Sequence, residues 1–418
     1  MSLTLSLYIC VYACCRRHVP PLHVNAWPKL VLNKLLKKSM RSSCNFVADL
    51  PPDYSGCFYD SGECSSSSAP FKHGPDQETV RIFVSSWNVG GVEPPGDMDM
   101  GDWLNESKNP ADIYVFGFQE VVPLNAGNVL GSENFKISTK WNGTIRSALE
   151  KIPSPTTVDH LPENASGDFR CVVSKQMVGI FISVWARSDL CRYIQHTNIS
   201  CVGCGIMGCL RNKGSVSVRF LLHETSFCLV CSHLASGGRE GDERHRNADA
   251  AWILSQSSFP HAGPHRNLPR KILDHDRVIW LGDLNYRIHL PDATIRSLVE
   301  RRRWNVLLEY DQLKAELVEG RVFQGWQEGA IEFAPTYKYC PNSDVYHGWN
   351  QEIRTSRRFR APAWCDRIIW FGEGLKQTQY ERGESMLSDH RPVKAMFVAE
   401  VERCFRDSSE FNCMLRLV

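Results

Sequence analysis

Val278-Ile-Trp-Leu-Gly-Asp-Leu-Asn-Tyr-Arg287 is an apolar run of strand length that ends in a carboxylate and a carboxamide two positions apart. In extended chain Asp283 and Asn285 face the same way. Such a pair can orient a water and donate to phosphoryl oxygens. Taken alone, the run also reads as an ordinary Asp/Asn turn after a strand. Five further runs end in the same manner. Residues 80–87 lead into Asn88, residues 113–118 into Gln119-Glu120, and residues 227–232 into His233. Residues 362–365 meet Asp366, with the apolar run 368–371 behind it, and Ser388-Asp389-His390 stands just before the run 393–398. A sheet supplies rigidity and the loops at its rim supply function. Strand ends carrying carboxylates, carboxamides and imidazoles together read as a metal-assisted hydrolase.

Composition frames that reading. The chain has 418 residues, 43% apolar and 22% charged, as in a globular protein with a sizeable core. Its net charge of +2 offers no broad cationic face, so no nucleic-acid partner is expected and any anion preference must be local. The 17 cysteines are odd in number and scattered, which favours a reducing, intracellular setting, cytoplasmic or peripheral at a membrane. Cys201, Cys204, Cys228 and Cys231 mimic a zinc pattern, but Cys228 and Cys231 within one strand point to opposite faces, so no metal is expected there. The Asn-x-Ser/Thr triplets at Asn105, Asn142, Asn164 and Asn198 are as many as chance supplies. The apolar run 3–15 lacks a basic flank and is too short to span a bilayer. It reads as a disordered segment, or as an anchor with Cys14 and Cys15 open to acylation.

Residues 1–78 read as a flexible lead-in that finishes in a serine run. Within it, residues 27–38 place Trp27, Leu30, Val31 and Leu35 on one helical face and lysines largely on others. That basic amphipathic segment suits peripheral membrane contact or a partner groove. Residues 79–403 form the catalytic unit and 404–418 a tail. The clearest helical stretch is 292–318, with Asp292 placed as its N-cap and Arg301-Arg-Arg303 as a solvated face.

Each chemical residue also has a plainer reading. Glu120 ends a very apolar strand, so its carboxylate is exposed at the tip and suits a hard cation; it could equally be a rim glutamate. His233 and His390 could contact phosphate, although a lone histidine is more often structural. Asp366 is costly to bury unpaired, and an imidazolium such as His390 is one partner for it.

Trp87-Asn88-Val-Gly-Gly, Phe118-Gln-Glu120, Ser232-His233-Leu, Trp280-Leu-Gly-Asp-Leu-Asn-Tyr-Arg287, Arg360-Ala-Pro-Ala-Trp-Cys-Asp-Arg367 and Ser388-Asp-His-Arg-Pro392 together resemble the inositol polyphosphate 5-phosphatases. The run from Asn109 to Gly127 looks particularly like the plant members. The resemblance covers roughly residues 79–403 and implies an α/β, DNase-I-like fold: a two-sheet β-sandwich flanked by helices, with the site at one end. It implies Mg²⁺-dependent removal of the 5-phosphate from inositol polyphosphates or phosphoinositide head groups. Carried across, it makes Glu120 the main metal ligand, with Asn88 beside it and Asp389 next to the metal site. Asp283 positions and activates the attacking water, supported by Asn285. His390, oriented by Asp366, contacts the scissile phosphate, as does His233.

A phosphate monoester repels a nucleophile with up to two negative charges, so a cation and an imidazolium at that point make chemical sense. For specificity the resemblance implies that Tyr337, Lys338, Arg358 and Arg360 grip the adjacent ring phosphate, and that Asn212 and Lys213 also bind substrate. The family's Gly-Asn-Lys-Gly reads Arg211-Asn-Lys-Gly214 here, a departure in a loop where glycine normally allows close backbone approach. Rival readings are a nuclease or phosphodiesterase on the same scaffold, and a catalytically silent phosphoinositide-binding protein. Oligomeric state is not legible.

Overall fold

Side-chain parity along the strands explains both the layers and the site. The computed structural model describes residues 46–49, 77–104, 110–124, 128, 135–152, 168–205, 211–260, 268–349 and 360–403. One sheet contains β1 (Gln77–Asn88), β2 (Ile113–Gln119), β3 (Phe169–Met177), β4 (Ile180–Arg187), β11 (Leu375–Arg382) and β12 (Val393–Glu402), in the order β11-β12-β1-β2-β4-β3. The other contains β5 (Ile194–Gly203), β6 (Gly214–Leu222), β7 (Thr225–His233), β8 (Arg277–Asp283), β9 (Gln327–Glu328) and β10 (Asp366–Phe371), in the order β5-β6-β7-β8-β10-β9. This is the DNase-I-like α/β architecture expected from the sequence.

Alternate residues face opposite ways along each strand. Ile82 and Val84 of β1, Val115 of β2, Leu229 and Cys231 of β7, Ile279 and Leu281 of β8 and Ile368 of β10 meet between the sheets. Phe83, Trp87, Phe116 and Phe118 face outward, where they pack with Trp141 of the helix Lys136–Leu149. On the other outer face Cys228, Val230 and Trp280 pack against Ala250 and Ile253 of the helix Glu243–Gln256. Cys228 and Cys231 therefore do lie on opposite faces. Each fully buried aliphatic side chain in these layers contributes roughly 1.5–3 kcal/mol. Gly117 sits where the sheets approach most closely: a Cβ there would come within 2.5 Å of Leu281 Cδ1 and 2.9 Å of Cys231 Sγ.

Each sheet has one parallel pair at its centre. β1 runs beside β2, from Ile82 opposite Ile113 to Asn88 opposite Gln119. β7 runs beside β8, from Phe227 opposite Arg277 to His233 opposite Asp283. Parallel neighbours end at the same rim. Antiparallel neighbours begin there: β10 opens with Asp366 opposite Asp283, and β12 opens with Val393 opposite Ser86. Four carboxyl ends and two amino ends thus converge at one edge of the sandwich.

The helical stretch 292–318 is three helices, Asp292–Glu300, Trp304–Leu308 and Gln312–Glu319. Arg302 takes a left-handed φ of 51° between the first two, and Arg301, Arg302 and Arg303 are exposed. Asp292 does not cap the first helix. Pro291 holds that position, and Asp292 instead pairs with Arg296 one turn on, at 3.0 Å. The residue that does cap is Asp311, whose carboxylate accepts from Lys314 N at 2.9 Å and also receives the buried Arg367 at 2.9 and 3.0 Å. Residues 46–49, within the sequence-defined lead-in, lie on the edge strand β3. Val47 exchanges backbone hydrogen bonds with Ser174, and the Asp49 carboxylate accepts from Cys171 N and Arg146 Nη2. The amphipathic segment 27–38, the run 3–15 and the tail 404–418 fall outside the described residues. No helix among the described residues is long and apolar enough to cross a membrane.

Candidate active site

The inward parity that fills the core continues into polar residues at the rim. Val84 and Ser86 are followed in phase by Asn88, Cys231 by His233, Leu281 by Asp283, and Ile368 is preceded in phase by Asp366. Local backbone then aims the groups beyond the strands. Glu120, one residue past β2, adopts a left-handed φ of 54°, and Asn285, two past β8, one of 58°. Such conformations are uncommon without a glycine and concentrate at functional sites. Gly282 makes the approach of β8 feasible: its φ is 154°, and a Cβ there would stand 2.1 Å from Ser232 O.

Asp283 is the hub. Its Oδ2 accepts from Asn88 Nδ2 at 2.9 Å and lies 3.2 Å from His233 Nε2, while Oδ1 accepts the Asn285 backbone N–H at 3.1 Å. Burial pushes its pKa up, but the opposing charge and hydrogen bond of His233, with His390 and Lys213, win and hold it well below the usual carboxylate range. Glu120 Oε1 approaches the same two groups, 3.4 Å from Asn88 Nδ2 and 3.8 Å from His233 Nε2. The two carboxylates therefore converge on one corner. Lys213 Nζ closes onto His233 Nε2, and burial lowers the Lys213 pKa despite the pull of Glu120 and Asp283.

Asn285 departs from the sequence reading. Its chain is no longer extended, so strand parity does not place it beside Asp283. Nδ2 donates to Leu234 O at 3.2 Å and Oδ1 accepts from Arg287 Nη2 at 2.6 Å. What Asn285 gives Asp283 is its backbone N–H.

Beside Asp283, His390 Nδ1 donates to Asp366 Oδ2 at 2.9 Å. Burial disfavours the imidazolium, but the Asp366 carboxylate, joined by Asp283 and Asp389, outweighs it and raises the pKa to about 9. Nδ1 being taken, Nε2 is the nitrogen left to meet a ligand. One ligand atom each from Asp283, Asp366 and His390 lies within 4.8 Å of the others; the His390–Asp366 ion pair already accounts for two of them. The Trp87 indole donates to His390 O at 3.1 Å and Ser388 Oγ to Asn88 O at 2.7 Å, tying the loop before β12 to the end of β1.

The basic residues line the neighbouring wall. Lys338 Nζ forms an ion pair with Asp389 Oδ2 and lies 5.3 Å from the centroid of the Tyr337 ring. Asp389, expected next to the metal, pairs with Lys338 through Oδ2, while its Oδ1 accepts from Ser388 Oγ at 3.4 Å. Burial pushes its pKa up, but His390 and Lys338 outweigh that and lower it. Arg360 is half-buried, and its Nη1 is buried without a hydrogen-bond partner. Tyr337 stacks on His390 with ring centroids 4.4 Å apart. Asn212 and Arg211 are half-buried in the loop entering β6. The glycine that this loop requires is Gly214, where a Cβ would meet Val202 O at 2.0 Å. Arg358 lies outside the described residues. Two groups escaped the sequence reading: Thr336, which donates to Asp366 Oδ2 at 2.7 Å, and Arg287. Arg287 stands inside the quoted motif but had no assigned task.

The family model for Endonuclease/Exonuclease/phosphatase family 2 matches residues 85–396. Type IV inositol polyphosphate 5-phosphatase 9 of Arabidopsis thaliana is 58% identical over 90% of this chain and 91% of its own length. Type I inositol polyphosphate 5-phosphatase 8 of the same plant is 47% identical over 78% of this chain and 72% of its own. Among solved structures, the inositol polyphosphate 5-phosphatase domain of SPsynaptojanin, in complex with inositol (1,4)-bisphosphate and calcium ion, superposes with a TM-score of 0.65. It is 30% identical and covers 82% of this chain and 90% of that one. With these relatives and this rim of strand ends, the chain belongs to the inositol polyphosphate 5-phosphatases, phosphoric monoester hydrolases of the endonuclease/exonuclease/phosphatase fold.

Proposed function

We propose that this protein removes the 5-phosphate from inositol polyphosphates or phosphoinositide head groups with Mg²⁺ bound beside Glu120. The observation that carries the reading is the convergence of Glu120, Asn88, His233 and Asp283 on one corner, beside a buried His390–Asp366 pair. The donor set fits a hard cation: two carboxylates beside a carboxamide, with no thiolate. Glu120 would hold the cation, with Asn88 and Asp283 beside that carboxylate. When bound, it would neutralise phosphate charge and orient the phosphoryl group.

The chain's own groups do the rest. Asp283, kept ionised by His233, His390 and Lys213, accepts a hydrogen bond from the attacking water through its remaining lone pairs and aims it in line. His390, an imidazolium below about pH 9, donates from Nε2 to a phosphoryl oxygen as charge develops. His233 and Lys213 supply further donors on the Asp283 side. Lys338 and Arg360 meet the ring phosphate next to the one removed; local cationic groups let a nearly neutral protein select a dense anion. Asn212 and Arg358 complete that reading from the sequence.

The test is turnover by purified protein of inositol 1,4,5-trisphosphate, phosphatidylinositol 4,5-bisphosphate in vesicles, and plasmid DNA, each with and without Mg²⁺. Phosphate release from either inositol substrate only with Mg²⁺ supports the reading, and the ratio between the two sets the soluble-versus-lipid preference. Cleavage of DNA alone identifies a nuclease. Binding of both inositol ligands without turnover identifies a silent binding protein.

A further inference from the structure

Arg287 is 8% exposed and its guanidinium reaches back along its own strand end. Its backbone is pinned by Gln312, whose side chain accepts from Arg287 N at 2.8 Å and whose own N–H donates to Arg287 O at 2.9 Å. Nη2 donates to Asn285 Oδ1 at 2.6 Å, and Cζ sits 4.6 Å from the centroid of the Tyr337 ring. Tyr337 in turn lies 4.4 Å, ring to ring, from His390. The guanidinium is buried between Asn285 and Tyr337, so its place in the fold ties these two residues together.

We propose that Arg287 is a positioning residue that couples the two halves of the catalytic set. Through Asn285 it fixes the left-handed turn whose N–H holds Asp283, and through the face of Tyr337 it holds the ring that packs on His390. With Oδ1 of Asn285 occupied by Arg287, the amide can only turn Nδ2 toward Leu234 O, so the elbow has one orientation. The planar guanidinium meets the amide oxygen and the aromatic face with separate parts of one rigid group, a geometry that a single ammonium nitrogen does not reproduce. The guanidinium touches Asn285 and Tyr337, so its influence on Asp283 and His390 passes through those two residues.

This inference rests on the phosphatase reading for its kinetic consequence and on geometry alone for its spectroscopic one. The experiment compares unsubstituted protein with Arg287→Gln and Arg287→Lys in two assays. With inositol 1,4,5-trisphosphate and Mg²⁺, kcat per folded molecule should fall about 10- to 100-fold in both variants. KM should stay within about twofold, and the lysine should restore little. In histidine-labelled protein, the His390 ring resonances should move in both variants, because Tyr337 is released. A KM rise at unchanged kcat would make Arg287 a substrate grip and overturn the proposal. So would a kcat within about twofold of the unsubstituted value, or unmoved His390 resonances. Arg287→Lys keeps the charge and most of the volume, so it carries both readouts if the glutamine variant does not fold. Absence of turnover in the unsubstituted protein would sink the phosphatase reading, and the resonances would still decide whether Arg287 holds Tyr337 against His390.

Discussion

His390 Nδ1 and Asp366 Oδ2 lie 2.9 Å apart in full burial, and Thr336 Oγ1 shares the same carboxylate oxygen at 2.7 Å. The other oxygen, Oδ1, is buried without a partner. The ionised carboxylate therefore depends on the imidazolium, and the imidazolium on it. Raising His390 from 6.5 to about 9 links its protonation to stability: that contribution is full below about pH 6.5 and is lost as pH climbs through about 9, while burial raises the Asp366 pKa against the pull of His390. The alkaline limb of kcat should fall near pH 9. In Asp366→Asn, burial acts on His390 with only Asp283 and Asp389 left to oppose it, so the limb should move to lower pH and activity at pH 8 should drop on the order of 10-fold or more. Measured pH–rate profiles of the two proteins check this; an unmoved limb would detach His390 from the reaction.

Glu120 should be separable from the fold. It lies past the end of β2, and its side chain is 29% exposed. Glu120→Gln should keep the thermal midpoint within a few degrees in the absence of cation. The stabilisation that millimolar Mg²⁺ gives the unsubstituted protein should disappear. A thermal-shift titration reads this without any turnover. Equal Mg²⁺ stabilisation in both proteins would place the cation elsewhere.

Gly282 should tolerate no side chain. A Cβ would stand 2.1 Å from Ser232 O, in a backbone conformation with φ 154° that L residues rarely adopt. Gly282→Ala should destabilise the domain by about 2–4 kcal/mol and push Asp283 out of line. Urea unfolding measures the first effect and kcat the second. A stable, active alanine variant would contradict the packing of β7 on β8.

Arg360→Ala should discriminate between substrates. Its loss should raise KM for inositol 1,4,5-trisphosphate on the order of 10-fold or more, with little change for an analogue lacking the adjacent 4-phosphate. Equal losses on both would remove Arg360 from the ring-phosphate wall and leave it a solvated basic residue.

Much of the site was legible because it is periodic. Asn88, His233, Asp283 and Asp366 each continue the inward phase of a core strand, and a period of two survives to the last residue. What a strand pattern does not encode was lost. Asn285 and Glu120 depend on left-handed backbone, and Asn285 was given a shared face that exists only in extended chain. Asp292 met the rule for a cap, but Pro291 holds that position; Asp311 caps the third helix of the stretch and also holds the buried Arg367, 56 residues away. Residues 46–49 look like linker in isolation and are seated by the edge of β3 and by Arg146. Arg287 was written in the motif, yet its contacts with Asn285 and Tyr337 come from two segments that sequence spacing does not join.

Phosphorus NMR of the reaction with inositol 1,4,5-trisphosphate and Mg²⁺ reads the gathered strand ends most directly, run on unsubstituted protein and on Asp283→Ala. The 5-phosphate signal should disappear as inorganic phosphate grows, with the 1- and 4-phosphates intact, and the folded alanine variant should show no turnover over the same period. Release from another ring position, or near-normal rates without the Asp283 carboxylate, would contradict a 5-phosphatase centre built at this rim.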